Sequence, residues 1–293
     1  MSDAARIASM LEAEGLPHAE CRGRVFVRDR HRIVPHAPLL RDVELTAAEA
    51  DALLARLGGW WVQWTTSADA AAAARGWYAV ICRTFTPVES IESSNVRSKL
   101  RRGLKRCGVE RVTLDAFIEK AFEIHDAAVS DYERSAVSRL DRAAFQAALE
   151  RERGFDDLRH YWLVTIDGAP AAYAKNLLHD RIEVDYTAVK FHPEHLKHYT
   201  SYALLHEMNR HYLAESGFEY ASDGQRSIHH DTSFQEFLIR DLGFEAHPLA
   251  LRVRYARRLA MGLRLARPLR APLSRRNRNA AALFALDRFA EPL

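Results

Sequence analysis

The order of hydrophobic and polar positions predicts a chain of alternating helices and strands. Residues 24–34 alternate as a strand or hairpin does, and residues 60–65 and 76–84 read as two further strands. Between them, 46–57 has the apolar spacing of a helix, and Glu49 completes a capping box with the threonine at its start. The first hundred residues therefore predict an α/β half.

From Val109 onward the pattern is more regular. Three strands follow one another with tight turns at Asp167-Gly168 and His179-Asp180, which predicts an antiparallel meander. The whole order is strand, two helices, three strands, helix, strand, helix, strand. The predicted ranges are 109–113, 114–131, 141–153, 161–166, 171–178, 181–190, 201–215, 218–222, 232–242 and 247–255. Beyond 256 the pattern predicts one helix and then a loose tail.

Charge is distributed unevenly along the chain. The 42 basic and 39 acidic residues give a net charge of +3, yet residues 246–286 contain no acid and ten arginines, from Arg252 to Arg278. A second basic cluster runs from Arg97 to Arg106 on a predicted helix. Both clusters suggest an anionic partner; RNA phosphates, an anionic membrane surface and mere solvation of the tail remain alternatives.

Composition excludes several classes of protein. With 48% hydrophobic and 28% charged residues a wholly disordered chain is excluded, and no apolar run reaches the ~18–20 residues of a membrane span. The N-terminus shows no secretory signal, so a cytoplasmic location is expected. Three distant cysteines predict neither a disulfide framework nor a cysteine zinc site. His192, His195 and His198 are interpreted as loop histidines, and no metal is predicted.

The element order from Val109 resembles that of the GNAT superfamily of N-acyltransferases. The preceding basic helix, RSKLRRGLKR, and the additional N-terminal half resemble the FemAB-type branch, in which two such folds lie in tandem and aminoacyl-tRNA is commonly the acyl donor. The string YASDGQRSIHHDTSFQEFL is likewise similar to GNAT-like proteins. The resemblance implies an α/β fold with a mixed, largely antiparallel sheet flanked by helices. The domains expected are 1–108, an α/β half or a degenerate GNAT-like half, 109–255, the acyltransferase domain, and 256–293, an Arg-rich tail.

The resemblance also implies an acyl-CoA donor whose pyrophosphate lies at the start of the central helix. The residues expected to hold it are Lys197, Tyr199, Thr200 and Ser201, beside backbone amides at the helix N-terminus. GNAT enzymes usually have a Gly-rich loop there, whereas 195–203 contains no glycine, so close approach of the backbone to phosphate is harder. An aminoacyl-tRNA donor therefore stays open.

The candidate base lies on the strand before the central helix, where this fold often carries it. Alternation puts Glu183, Asp185 and Thr187 on one face of that strand and Tyr186 on the other. Two carboxylates are costly to bury unless they bind a cation or act as a base, so Glu183 or Asp185 is predicted to be catalytic. The alternative is a solvated or salt-bridged face. Tyr186 is a candidate substrate contact.

A second candidate is the polar loop 222–232 between a strand and a helix, because α/β proteins concentrate chemistry in such loops. A structural alternative is a turn at Asp223 and a helix N-cap at Asp231 or Thr232. The catalytic candidates are Asp223 and His230, and the substrate-binding candidates are Arg226, His229 and Thr232.

These features together predict an N-acyltransferase that moves an acyl group from a thioester donor, acyl-CoA, to an amine of a small molecule or peptide. One alternative is an aminoacyl-tRNA-dependent transferase that holds tRNA with the clusters Arg97 to Arg106 and Arg252 to Arg278. Another is a catalytically silent module that binds RNA or an acidic partner.

Overall fold

The computed structural model describes residues 3–131, 140–228 and 233–291. The strands in these ranges are β1 His18–Cys21, β2 Arg24–Asp29, β3 Arg32–Pro35, β4 Trp61–Ser67, β5 Tyr78–Cys82, β6 Gly108–Val112, β7 Arg159–Ile166, β8 Ala169–His179, β9 Glu183–Phe191, β10 Tyr220–Gln225 and β11 Glu245–Tyr255. The helices are α1 Asp3–Ala13, α2 Ala47–Leu57, α3 Ala70–Ala74, α4 Ser94–Arg106, α5 Leu114–Asp131, α6 Arg142–Glu150, α7 Thr200–Asn209, α8 Ser233–Asp241, α9 Arg257–Ala266, α10 Arg270–Arg276 and α11 Arg278–Phe289. None of these described helices combines the length and apolarity that crossing a bilayer requires.

The chain divides into two compact units. The first unit comprises Met1–Val80, Gln225–Gln235 and Ala246–Leu293, and the second comprises Ile81–Gly224 and Glu236–Glu245. These boundaries do not coincide with the predicted ones at residues 108 and 255. Strand β11 pairs with β4, which explains why the chain returns to the first unit after α8.

The first unit is built on a sheet in the order β1-β2-β3-β4-β11. Its strand pairs are antiparallel except β3 with β4, which are parallel and joined through α2. Helix α2 begins with the predicted capping box of Thr46 and Glu49 and ends at Gly58, whose φ of 72° only glycine adopts easily. Its buried leucines pack on Phe26 and Ile33 of the sheet.

The second unit is built on a sheet in the order β10-β9-β8-β7-β6. Its pairs are antiparallel except β9 with β10, which are parallel and joined through α7. The first hairpin turn, Asp167-Gly168, is confirmed, with both residues at positive φ. The second consists of Asp180 and Arg181 at φ 46° and 57°, one residue later than predicted. The predicted mixed, largely antiparallel sheet flanked by helices is confirmed.

The two units repeat one order of elements. Each has a three-stranded meander, a helix and then a strand parallel to the last strand of the meander: β1-β2-β3-α2-β4 in the first unit and β7-β8-β9-α7-β10 in the second.

Helices cover both faces of the sheet in the second unit. Helices α5 and α6 pack on one face, called here the α5 face, through a cluster that includes Phe117, Phe145 and Tyr173. Helix α7 packs on the opposite face, called the α7 face, where Asn176 donates to Met208 Sδ and to the Tyr212 hydroxyl. The two candidate carboxylates of β9 lie on the α5 face.

The helix predicted after residue 256 is present as α9, but the loose tail predicted to follow it is wrong. The described part of this segment forms α9, α10 and α11 in the first unit. Ala282, Leu286 and Phe289 of α11 are buried because their helical spacing brings them to one side. Glu291 pairs with Arg252 of β11 and fixes the end of the segment.

Candidate active site

The two carboxylates of β9 lie together on the α5 face of the second unit. The pairing of β8 with β9 sets Glu183 opposite His179 and Asp185 opposite Leu177, so both side chains share the face that alternation predicts. The environments of the two carboxylates differ, and the difference separates their roles.

Glu183 is enclosed, with 1% of its surface exposed. It accepts a hydrogen bond from the Tyr220 hydroxyl at 3.0 Å on Oε2 and another from Ser222 Oγ at 2.5 Å on Oε1. Both donors lie on β10, so Glu183 fastens the parallel strands together. A buried carboxylate engaged in this way is suited to hold the site's geometry.

Asp185 lies at the end of the parallel pairing, opposite Ser222, and is partly exposed. Burial of the carboxyl raises the pKa of Asp185 to about 6, against the opposing effect of the nearby Arg159 charge. A pKa just below neutrality leaves Asp185 ionised at pH 7 and still able to accept a proton. Among the two carboxylates of β9, Asp185 is therefore the one suited to act as a base.

A buried ion cluster sits beside these carboxylates. Glu152, which follows α6, accepts hydrogen bonds from Lys175 Nζ at 2.5 Å and from the Tyr161 hydroxyl at 2.9 Å, and lies 3.9 Å from Arg159 Nε. Its negative charge partly offsets the charge of Arg159. Because an uncompensated Arg159 would favour ionised Asp185 more strongly, Glu152 helps to keep the pKa of Asp185 high.

His179 is a further titratable neighbour of Glu183, which it faces across the pairing of β8 with β9. Burial and the Arg159 charge lower the pKa of His179 to about 4. The imidazole is therefore neutral at physiological pH, and it adds no positive charge that would lower the pKa of Asp185.

Two predicted residues lie across the sheet from Asp185. Tyr186 is on the α7 face, where its hydroxyl donates to Asn209 Oδ1 at 2.7 Å and burial raises its pKa well above the usual value. Asp223 follows Ser222 on β10, and alternation turns it to the same α7 face. The sheet therefore separates the Tyr186 side chain from Asp185.

Of the remaining candidates in the loop 222–232, the structure describes Arg226 alone. Arg226 belongs to the first unit, where it donates to the Gly76 carbonyl at 2.8 Å and its guanidinium lies over the rings of Tyr78 and Phe289. The candidates His229, His230 and Thr232, with Asp231, lie outside the described residues.

The predicted phosphate-binding residues surround the start of α7. Tyr199 precedes the helix with φ 61°, a conformation that side-chain-bearing residues adopt at a cost. Thr200 is fully buried, and its hydroxyl has no hydrogen-bond partner in the described chain. Ser201 is partly exposed and Lys197 is exposed. The first turn of α7 therefore combines free helix amides with a buried hydroxyl that lacks a partner.

Helix α4 brings the basic cluster to this same place. The Arg102 guanidinium lies 4.7 Å from the ring centre of Tyr199, and Lys99 Nζ lies 5.6 Å from that of Tyr202. Gly103 allows the contact, because a Cβ atom there would lie 2.8 Å from the Tyr199 carbonyl oxygen. In the sequence, the basic helix and the candidate phosphate site are about one hundred residues apart and nothing connects them. In the structure, α4 contacts the start of α7.

Substitution of Gly103 by alanine should therefore destabilise the protein by about 1–3 kcal/mol, because backbone must move to accept the methyl group. Gly262 in α9 is the matched control, since a Cβ there meets nothing within 4 Å. Alanine at Gly262 should stabilise by up to about 1 kcal/mol through helix propensity. Urea unfolding of both variants measures the difference, and equal stabilisation by the two substitutions would refute the close packing of α4 on α7.

A cleft of about 690 Å³ lies near the other end of α7, within the second unit. Residues of the segment 85–93, α4 and the end of α8 line it together with His206 and Asn209. His206 Nε2 is buried in the cleft wall with no hydrogen-bond partner in the described chain. The volume is within the range of small-molecule pockets, but Asp185 does not line it.

No group of three or more His, Cys, Asp or Glu side chains within the described ranges is arranged to hold a metal ion.

Sequence reasoning missed the ion cluster around Arg159. Lys175 is the indication of this cluster that the sequence offers, because it is the only charged residue of the apolar stretch 171–178 and a charge there needs a partner. Glu152 and Arg159 lie in a charged stretch that reads as solvent-exposed, and their burial depends on contacts that the local pattern does not contain.

Comparison with known proteins identifies the fold. No family model matches the chain, and no curated protein matches it in sequence. Among solved structures, FemX matches with a TM-score of 0.55 at 11% identity, over 88% of this chain and 92% of FemX. The chain therefore has a fold similar to that of FemX.

Two further solved structures complete the comparison. A conserved protein of unknown function from Bacteroides thetaiotaomicron VPI-5482 has a TM-score of 0.51 at 11% identity, over 85% of this chain and 88% of its own. A GCN5-related N-acetyltransferase from Kribbella flavida has a TM-score of 0.40 at 15% identity, over 86% and 95%. At these identities the likeness concerns the FemX-like fold alone, and function has to be argued from the site.

Proposed function

We propose that this FemX-like protein is an N-acyltransferase that moves an acyl group from a thioester donor, acyl-CoA, to an amine. The observation that carries the proposal is the raised pKa of Asp185, about 6, at the end of the parallel pairing of β9 with β10. Acyl transfer to an amine needs a group that removes a proton from the incoming ammonium near neutral pH.

In the proposed reaction Asp185 takes the proton of the ammonium group. The free amine then attacks the carbonyl carbon of the thioester, a C–N bond forms and the C–S bond breaks. The nitrogen loses a proton as it becomes an amide, and the departing CoA thiolate takes up that proton. Glu183 holds β9 and β10 together beside the reacting groups through Tyr220 and Ser222. Its role is to position the site, since it remains hydrogen-bonded to both hydroxyls.

The start of α7 is the proposed donor site. Free amides of a helix N-terminus attract phosphate, and the Thr200 hydroxyl supplies a hydrogen-bonding group that has no partner among the residues that the structure describes. Lys99 and Arg102 of α4 add positive charge beside Tyr199 and Tyr202. This anion-binding site compensates in part for the missing glycine-rich loop.

A second candidate donor is aminoacyl-tRNA, because α4 also carries cations that face outward. Arg101 and Lys105 are exposed on the same helix as Lys99 and Arg102, and a polynucleotide backbone would reach them where a CoA pyrophosphate would not.

Titration with acetyl-CoA and with tRNA across a range of salt concentrations distinguishes the two donors. We expect saturable acetyl-CoA binding with a shallow salt dependence, weakened about tenfold in the double variant Lys99→Gln/Arg102→Gln. Arg56→Gln, at an exposed arginine of α2, is the control and should leave binding unchanged. Binding of tRNA that falls steeply with salt, without any acetyl-CoA binding, would reject the CoA donor.

A further inference from the structure

An apolar stripe is exposed on the C-terminal helices of the first unit. Met261, Leu265 and Leu269 are 60%, 75% and 57% exposed. The spacing of four residues brings them to one side of α9 and of the 3₁₀ turn that continues it, while Leu263 is buried on the side that faces the protein. The three exposed side chains of the stripe therefore lie on the side of α9 away from the residue that packs in the core.

Arginines surround this stripe. Arg257, Arg258, Arg264, Arg267, Arg270, Arg275, Arg276 and Arg278 are all exposed. The nearest ion pair is that of Arg267 with Asp287 at 3.5 Å, and residues 246–286 supply no acid of their own. Solvation alone would account for the arginines, but it gives no reason for three large aliphatic side chains to stand among them.

We propose that α9 and the helical residues after it, with the stripe Met261, Leu265 and Leu269, form a docking surface for an anionic lipid bilayer. A helix with an apolar side and a rim of arginines is suited to lie in the interface of a bilayer. Its aliphatic side chains enter the acyl region while the guanidinium groups reach the lipid phosphates above it. The surface attaches to one leaflet and requires no membrane-spanning segment.

Two other partners fit the surface less well. RNA would satisfy the arginines but would leave the aliphatic stripe in water, and 256–278 contains no aromatic residue on which bases would stack. A second copy of the chain would cover the stripe but would bring eight exposed arginines against eight others. An anionic bilayer complements both the charge and the apolar stripe.

Flotation with vesicles tests the proposal on the full chain, independently of any acyltransferase activity. Vesicles of phosphatidylcholine alone are compared with vesicles containing about one-quarter phosphatidylglycerol. We expect the protein to float with the anionic vesicles only. The triple variant Met261→Gln/Leu265→Gln/Leu269→Gln, whose charge is unchanged, should bind them at least about tenfold more weakly.

The control variant Leu16→Gln/Leu196→Gln replaces exposed leucines outside the surface and should bind as the parent does. The same proteins are titrated with a single-stranded RNA of mixed sequence. The proposal is overturned if anionic vesicles do not bind, if the triple variant binds them as well as the parent, or if RNA competes the vesicles away at equal phosphate concentration. Circular dichroism of each variant confirms that the comparison is made between folded proteins.

Discussion

Replacement of Asp185 by asparagine is expected to lower kcat/KM by about 10²–10⁴-fold, the usual contribution of a general base. The same substitution should make the fold more stable above pH 6. Burial raises the pKa of Asp185 from 3.8 to about 6, which means that folding disfavours its ionised form. The free energy of unfolding therefore falls as the pH rises from about 4 to about 6. Asparagine cannot ionise, so above pH 6 the variant avoids this loss of roughly 1–3 kcal/mol.

Glu183→Gln is the matched control, two residues away on the same face. The hydroxyls of Tyr220 and Ser222 both donate to this carboxylate, so glutamine presents an NH₂ group to one of them and should cost about 1–3 kcal/mol. The two conservative substitutions thus shift the urea midpoint at pH 8 in opposite directions. If the Asp185→Asn variant instead loses stability and keeps its turnover number, the role of Asp185 is structural and not catalytic.

The second large effect is expected at Glu152. Glu152→Gln keeps the shape of the side chain but leaves Arg159 and Lys175 without the buried negative charge that faces them. Loss of one partner of a buried ion pair costs about 3–5 kcal/mol. The substitution should also lower the pKa of Asp185, because the charge of Arg159 is then less compensated, and so shift the acid limb of the activity profile to lower pH.

Glu150→Gln is the control for Glu152→Gln, because Glu150 makes an ion pair with Arg153 in which both side chains are about half exposed. Exposed pairs contribute little, so the urea midpoint should hardly change. Similar midpoints for Glu150→Gln and Glu152→Gln would show that the ion cluster is solvated. An unchanged activity profile in Glu152→Gln would show that the cluster does not act on Asp185.

The alternation of polar and apolar residues was sufficient to predict the second sheet and the shared face of Glu183 and Asp185. The period of two is a property of every strand, so it survives without knowledge of the neighbours. The second hairpin turn is one residue later than predicted because Asp180 and Arg181 both adopt positive φ without a glycine. Because neither residue is a glycine, the sequence does not indicate that the turn has positive φ at both positions.

The remaining features depend on contacts between distant residues. Gly103 meets Tyr199 across almost one hundred residues, and neither local sequence indicates the other. The division of roles between Glu183 and Asp185 follows from two hydroxyls on β10 and a guanidinium on β7. Helices α10 and α11 were missed because arginines and the prolines at 268 and 272 dominate the composition of the segment after α9.

The pH dependence of acyl transfer tests the central claim most directly. Release of CoA from acetyl-CoA is followed from pH 5 to 9 with a panel of amine acceptors whose own pKa values lie above 9. The account predicts that log(kcat/KM) rises with unit slope at low pH and levels off near pH 6, and that Asp185→Asn abolishes this limb. A wild-type profile with no inflection near pH 6, or one that Asp185→Asn retains, would contradict it.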